Sequence, residues 1–153
     1  IVMNDHTAIS ENQESNQLQS VFDNYFLLKD ALVKTDSKTA SAKSKELLAS
    51  IESVKMESLK MDMHMVWMKV LKDLTADAKS ISETQDIKKQ RDFFKSLSKN
   101  TYDLIKISKP TEAVYYQYCP MQDANWLSKE NTVKNPYYGS QMLTCGKTVE
   151  TIK

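Results

Sequence analysis

Residues 1–109 contain neither glycine nor proline. These two residues are the strongest interrupters of regular structure, and the same stretch is rich in Lys, Glu, Leu, Ala, Ser and Met, which sit comfortably in helices. A run this long without a breaker is expected to be almost wholly helical. The prolines, at 110, 120 and 136, and the glycines, at 139 and 146, all lie beyond it.

Apolar periodicity divides the run. Leu18, Val21, Tyr25, Leu28 and Leu32 recur at steps of three and four residues, forming one stripe on a first helix of about 13–34, with Ser10 and Gln13 at capping-box spacing ahead of it. Residues 1–12 carry no pattern and are expected to be a mobile tail before a single domain over 13–153. Thr35, Asp36 and Ser37 offer an N-cap for a second helix bearing Leu47, Leu48, Ile51 and Val54. With no Gly or Pro before the next run, one long kinked rod stays open, but a break near Lys55–Lys60 fits a compact bundle better; the third run places Trp67, Val70, Leu71, Leu74, Ala78 and Ile81 on a common face. Ser82 and Gln85 have capping-box spacing again, and Ile87, Phe94, Leu97, Leu104 and Ile105 make a fourth stripe that Pro110 stops. Four stripes joined by short polar links must be buried against one another. The expected fold is therefore all-α, an up-and-down four-helix bundle over 13–109. Over 110–153 the helical period fails and turn signals appear at Cys119-Pro120 and Asn135-Pro136, which predicts an irregular, aromatic-rich C-terminal cap with one short helix near Trp126–Lys134.

Charge and motif content narrow the functional classes. Lys+Arg 21 against Asp+Glu 20 gives a net charge of +1 with no basic stripe, so no nucleic-acid partner is expected. No apolar run approaches the roughly 20 residues needed to cross a bilayer, so no transmembrane segment is expected in the numbered chain. The start, Ile1-Val2-Met3-Asn4-Asp5, lacks the basic and apolar regions of an export signal, which if made is expected to be absent from this numbering. No nucleophile elbow, P-loop, dinucleotide fingerprint or H-E-x-x-H is found, and no catalytic activity is expected.

The chemistry concentrates in sulfur. Cys119 with Met121 and Met142 with Cys145 are two close couples; brought together they would form a thiolate and thioether set suited to Cu(I) or another soft heavy-metal ion and poorly suited to zinc. Equally open on these residues is a Cys119–Cys145 disulfide staple, with unpaired structural thiols or a redox switch between the two states as further readings. Met61, Met65 and Met68, with His64 at the border, fall on a flank of the third helix beside its buried face, where Met63 belongs. Such a flank needs a partner. Packing by the aromatic cap is the plainer expectation, and a contribution to the sulfur site the sharper one. Tyr115, Tyr116, Tyr118, Trp126, Tyr137 and Tyr138 are expected to pack the cap, with a small-ligand pocket as the alternative.

Arg91–Ser98 (RDFFKSLS), Tyr116–Met121 (YQYCPM), Trp126-Leu127-Ser128, Asn135–Gly139 (NPYYG) and Met142–Gly146 (MLTCG) together resemble a bacterial family of unknown function, over about residues 18–152. Its members stand alone as exported proteins or form a terminal domain on periplasmic adaptor subunits of heavy-metal efflux pumps. The resemblance implies a periplasmic or envelope-anchored helical domain associated with copper or other heavy metals, with efflux components or other envelope proteins as partners. Cys119-Pro120-Met121 is also similar to the opening of short heavy-metal-binding domains, which continue with His where this chain has Gln122.

Overall fold

The computed structural model describes residues 17–153 in full and assigns α1 to Val2–Val33. α1 as assigned runs through most of the tail expected over 1–12, and the side chains of residues 1–16, with the capping box expected at Ser10 and Gln13, lie outside the described residues. After α1 come α2 (Ser37–Glu52), α3 (Met61–Ser82) and α4 (Ile87–Ser108), then three strands, β1 (Val114–Cys119), β2 (Ala124–Ser128) and β3 (Lys147–Ile152). Each helix packs on the next in sequence, and α4 also meets α1.

The helix boundaries have local causes. Thr35 at the end of α1 adopts a left-handed conformation, φ 56°, while the Asp36 N–H donates to the Ala31 carbonyl and the Thr35 N–H to that of Leu32. That closure reverses the chain within a few residues, a role more often given to glycine. Asp36 then caps α2, its carboxylate accepting from the Thr39 N–H and hydroxyl, which also holds that carboxyl below its usual range. The break expected between the second and third helices is present as a 3-10 turn at Met56–Ser58. The cap of α4 is Asp86, accepting from the N–H groups of Lys88 and Lys89. Ser82 is the last residue of α3 instead, its hydroxyl turned back to the Lys79 carbonyl, so the capping box expected at Ser82 and Gln85 does not form. Lys109, left-handed at φ 51°, ends α4 before Pro110.

The expectation of a purely α protein with an irregular cap is incorrect. Residues 114–152 build an antiparallel sheet in the order β2-β1-β3. Nor is there a helix near Trp126–Lys134: Trp126, Leu127 and Ser128 belong to β2, and the helical turn within the cap is a 3-10 turn at Gly139–Gln141. The hairpin turn between β1 and β2 runs Pro120–Asp123, with Asp123 supplying a left-handed residue at φ 48°.

The sheet rests on α4 and α1 through β2. An edge strand exposes unpaired backbone groups, and here two tyrosines cover them. The Leu127 N–H donates to the Tyr25 hydroxyl at 3.0 Å, and the Tyr137 hydroxyl donates to the Asn125 carbonyl at 2.6 Å. Tyr25 also bonds Ser98 of α4 at 2.7 Å and stacks on Phe94, which meets Tyr137, which in turn meets Trp126 edge-on. A chain of rings therefore continues the helical core into the sheet. Burial pushes the pKa of the Tyr25 hydroxyl well up, so it stays protonated. Tyr25→Phe leaves the buried Leu127 N–H without its acceptor and is expected to cost about 2 kcal/mol. Urea denaturation measures this, and a loss below about 0.5 kcal/mol would contradict the assigned role.

On the far side of β1, Glu150 of β3 accepts from the Tyr102 hydroxyl and the Lys106 ammonium of α4, at 2.6 and 2.7 Å. Tyr102 stacks on Tyr116 at 4.0 Å, and burial, reinforced by Tyr102, pushes the Tyr116 hydroxyl up to about 12.

Candidate functional site

Cys119 closes β1 and is fully buried. Tyr118 pairs with Lys147, so the residues just before β3 run on past the end of β1 and carry Cys145 toward Cys119. Gly146 permits the approach. At φ 139°, a Cβ there would lie 2.7 Å from the Tyr118 carbonyl and 3.0 Å from the Trp126 ring, space that no side chain can occupy.

Asn135 fixes the other side of the approach. It is fully buried; its amide donates to the Cys145 carbonyl at 2.7 Å, its side-chain oxygen accepts from the Tyr137 N–H at 2.8 Å, and its backbone N–H donates to Leu143. The Cys145 N–H closes a turn onto the Met142 carbonyl. Cys145 thus arrives on a pinned turn close enough to Cys119 for the two thiols to perturb one another. Burial first, and then the neighbouring Cys119, raise the pKa of the Cys145 thiol. Both cysteines are free thiols.

Met121 and Met142 are carried on the two turns that flank this pair, two residues after Cys119 and three before Cys145. They are 64% and 38% exposed, so the thioethers lie at the surface while the Cys119 thiol lies beneath it. Gln122 accepts from the Lys95 ammonium at 3.0 Å and donates to the Tyr138 hydroxyl at 2.9 Å. Its side chain ties the hairpin turn to α4 and to the cap.

Arg91 holds the whole loop from outside. Its Nε donates to the Pro136 carbonyl at 2.7 Å, and its Nη2 to the Leu32 carbonyl and the Thr35 hydroxyl at 2.9 and 3.0 Å. One guanidinium thereby joins the end of α1, the start of α4 and the Asn135–Gly139 turn; its partial burial lowers its pKa from the usual value. Beyond the turn signal at Asn135-Pro136, spacing along the chain gave Arg91, Asn135 and Gly146 no role, because their main partners are backbone groups distant in sequence.

The methionines of α3 lie elsewhere. Met61, Met65 and Met68 are 76%, 67% and 53% exposed, so the cap does not pack on them as the plainer expectation had it. Met63 is buried in the core and His64 is half-buried at the border, as their helical positions require. The neighbouring Val66 and Lys69 face a groove shared with Tyr102, Asp103, Lys106 and Ile107, whereas the turn after Cys119 is tied to Lys95. The eleven helical steps from Lys95 to Lys106 span about 16 Å. The cysteine pair and the α3 methionines therefore occupy different parts of the surface along α4.

Two neighbouring thiols, with a methionine two residues after one and three residues before the other, are residue types suited to a soft ion of low coordination number, since thiolate and thioether ligands select such ions. Among the described residues no group of three or more His, Cys, Asp or Glu side chains is placed to hold a metal, so the donor set offers no fit to an ordinary structural zinc site. Also among the described residues, no helix is long and apolar enough to cross a membrane. No curated protein matches the chain, and no solved structure does. A family model does match, over residues 21–113, which run from within α1 to the residue before β1 and leave both cysteines outside the matched segment. On that match the chain belongs to the family described as Protein of unknown function (DUF3347).

Proposed function

We propose that this domain binds a soft heavy-metal ion, Cu(I) foremost, through the thiolates of Cys119 and Cys145 with a thioether from Met121 or Met142, and that it buffers or passes on the metal without catalysing a reaction. The observation that carries the reading is the meeting of two thiols 26 positions apart, brought about by Gly146 and Asn135. Proteins spend such care on a thiol pair for ligation or for a disulfide, and the flanking methionines add nothing to a disulfide. The proposal extends to place: an exported, periplasmic or envelope-attached protein serving heavy-metal efflux or homeostasis, on the strength of the Tyr116–Met121 and Met142–Gly146 motifs.

Anaerobic titration of the reduced protein with Cu(I) against a competing chelator tests it. One ion bound per chain, in competition with the chelator, is expected; failure to compete at any ratio would reject the proposal. The Cys145 thiol, its pKa raised, is protonated at neutral pH and must release its proton on ligation. Affinity should accordingly climb with pH by about tenfold per unit for that proton. A flat profile between pH 6 and 8 would show that Cys145 is not a ligand.

A second reading is favoured by the complete burial of Cys119: an interaction domain of the envelope whose cysteines form a staple. The bond would tie β1 to the approach of β3 and contribute about 3 kcal/mol by the loop it closes. A thiol count on denatured, unreduced protein separates the two. No free thiols favours the staple and two favour ligands.

A further inference from the structure

Met61, Met65 and Met68 stand at positions i, i+4 and i+7 of α3, which 3.6 residues per turn places within an arc of about 60°. They are the most exposed methionines of the helix, on the same element that buries Met63 in the core. An exposed helical position has no packing reason to prefer a thioether over Lys or Glu, and three such positions on one face are not accounted for by the fold.

We propose that these three methionines form a second site for a soft monovalent metal ion, held by thioether sulfur alone and separate from the cysteine pair. Met65 lies between the other two, whose backbones are about 10 Å apart along the axis. A methionine side chain has three rotatable bonds beyond the backbone, so the outer two can swing their sulfurs inward over Met65. Thioethers carry no proton to displace, and the site is open to water. It is therefore suited to acquiring an ion from solution or from another protein, whereas the Cys119 thiol is buried and suited to retaining one. The site goes beyond the reading of the cysteine pair and does not require it.

Ag(I), a soft ion that does not change oxidation state under these conditions, is the probe. In a Cys119→Ala/Cys145→Ser variant carrying methyl-labelled methionine, titration is expected to shift the methyl signals of Met61, Met65 and Met68 together and saturably, leaving buried Met63 nearly still. In the otherwise unaltered chain, Met61→Leu/Met65→Leu/Met68→Leu should abolish one equivalent of Ag(I) while retaining the equivalent bound by the thiols; leucine keeps the helix and the side-chain volume. Absence of a saturable shift of these three signals, or a stoichiometry unchanged by the triple substitution, would overturn the proposal. Loss of the thiol-bound equivalent alone would count against the cysteine reading and leave this one standing.

Discussion

Gly139→Ala is expected to destabilise the protein by on the order of 3 kcal/mol, although it adds one methyl group at the far end of the chain from the helical core. Two costs add. Gly139 has φ 59°, a left-handed conformation that costs any residue with a Cβ about 1–2 kcal/mol. The new Cβ would also lie 2.5 Å from the Thr35 hydroxyl, 2.8 Å from the Val33 carbonyl and 3.0 Å from Arg91 Nη2. Val33 O is backbone at the end of α1, and Arg91 is held by three acceptors, so neither can yield cheaply. For a domain of this size the melting temperature should fall by about 10 °C. A change within 2 °C would mean that the Asn135–Gly139 turn is not locked onto the bundle.

The second large effect is on metal. Replacing both cysteines is expected to weaken Cu(I) binding at the sheet by far more than 100-fold, because disturbing merely the outer partner of a metal ligand already costs about 10- to 100-fold. Each single substitution should do nearly as much, since one thiolate with surface thioethers is a poor substitute for two thiolates. Serine at the fully buried position 119 would leave a hydroxyl to satisfy, so Cys119→Ala is the cleaner variant there. Chelator competition on folded protein reads the result, and wild-type affinity in the double variant would move the site elsewhere.

Much of the bundle was legible because its signals are local. Without a glycine or proline in residues 1–109, the stripes through Leu18 to Leu32, Trp67 to Ile81 and Phe94 to Ile105 had one regular solution, and their buried faces follow it. The error at Ser82 is of a different kind: Ser-x-x-Gln and Asp86 compete to cap α4, and Asp86 wins by accepting two N–H groups. The sheet was missed for a physical reason as well. Val114–Cys119 has the aromatic and β-branched composition of a strand, but β1 and β2 are covered on both faces, so neither alternates cleanly between apolar and polar. Lys147–Ile152 alternates in burial, but its apolar residues Val149 and Ile152 lie three apart and Val149 is exposed, so the sequence shows no apolar period of two there either. In the site, a pairing of Cys119 with Cys145 was an expectation from residue type, and the backbone approaches beside them were not foreseen. Gly146 yields to the Tyr118 carbonyl and Asn135 holds that of Cys145, and sequence does not display such backbone approaches. The α3 methionines Met61, Met65 and Met68, expected to have a partner in the cap, are exposed instead.

X-ray absorption at the copper edge bears most directly on the cysteine pair. The sample is the reduced Met61→Leu/Met65→Leu/Met68→Leu protein loaded with one equivalent of Cu(I), so that the sheet is the sole sulfur-rich site left. A first shell of sulfur only, two or three atoms, is expected, and it should vanish with Cys119→Ala. A shell of nitrogen and oxygen, or a sulfur shell indifferent to Cys119, would contradict the account.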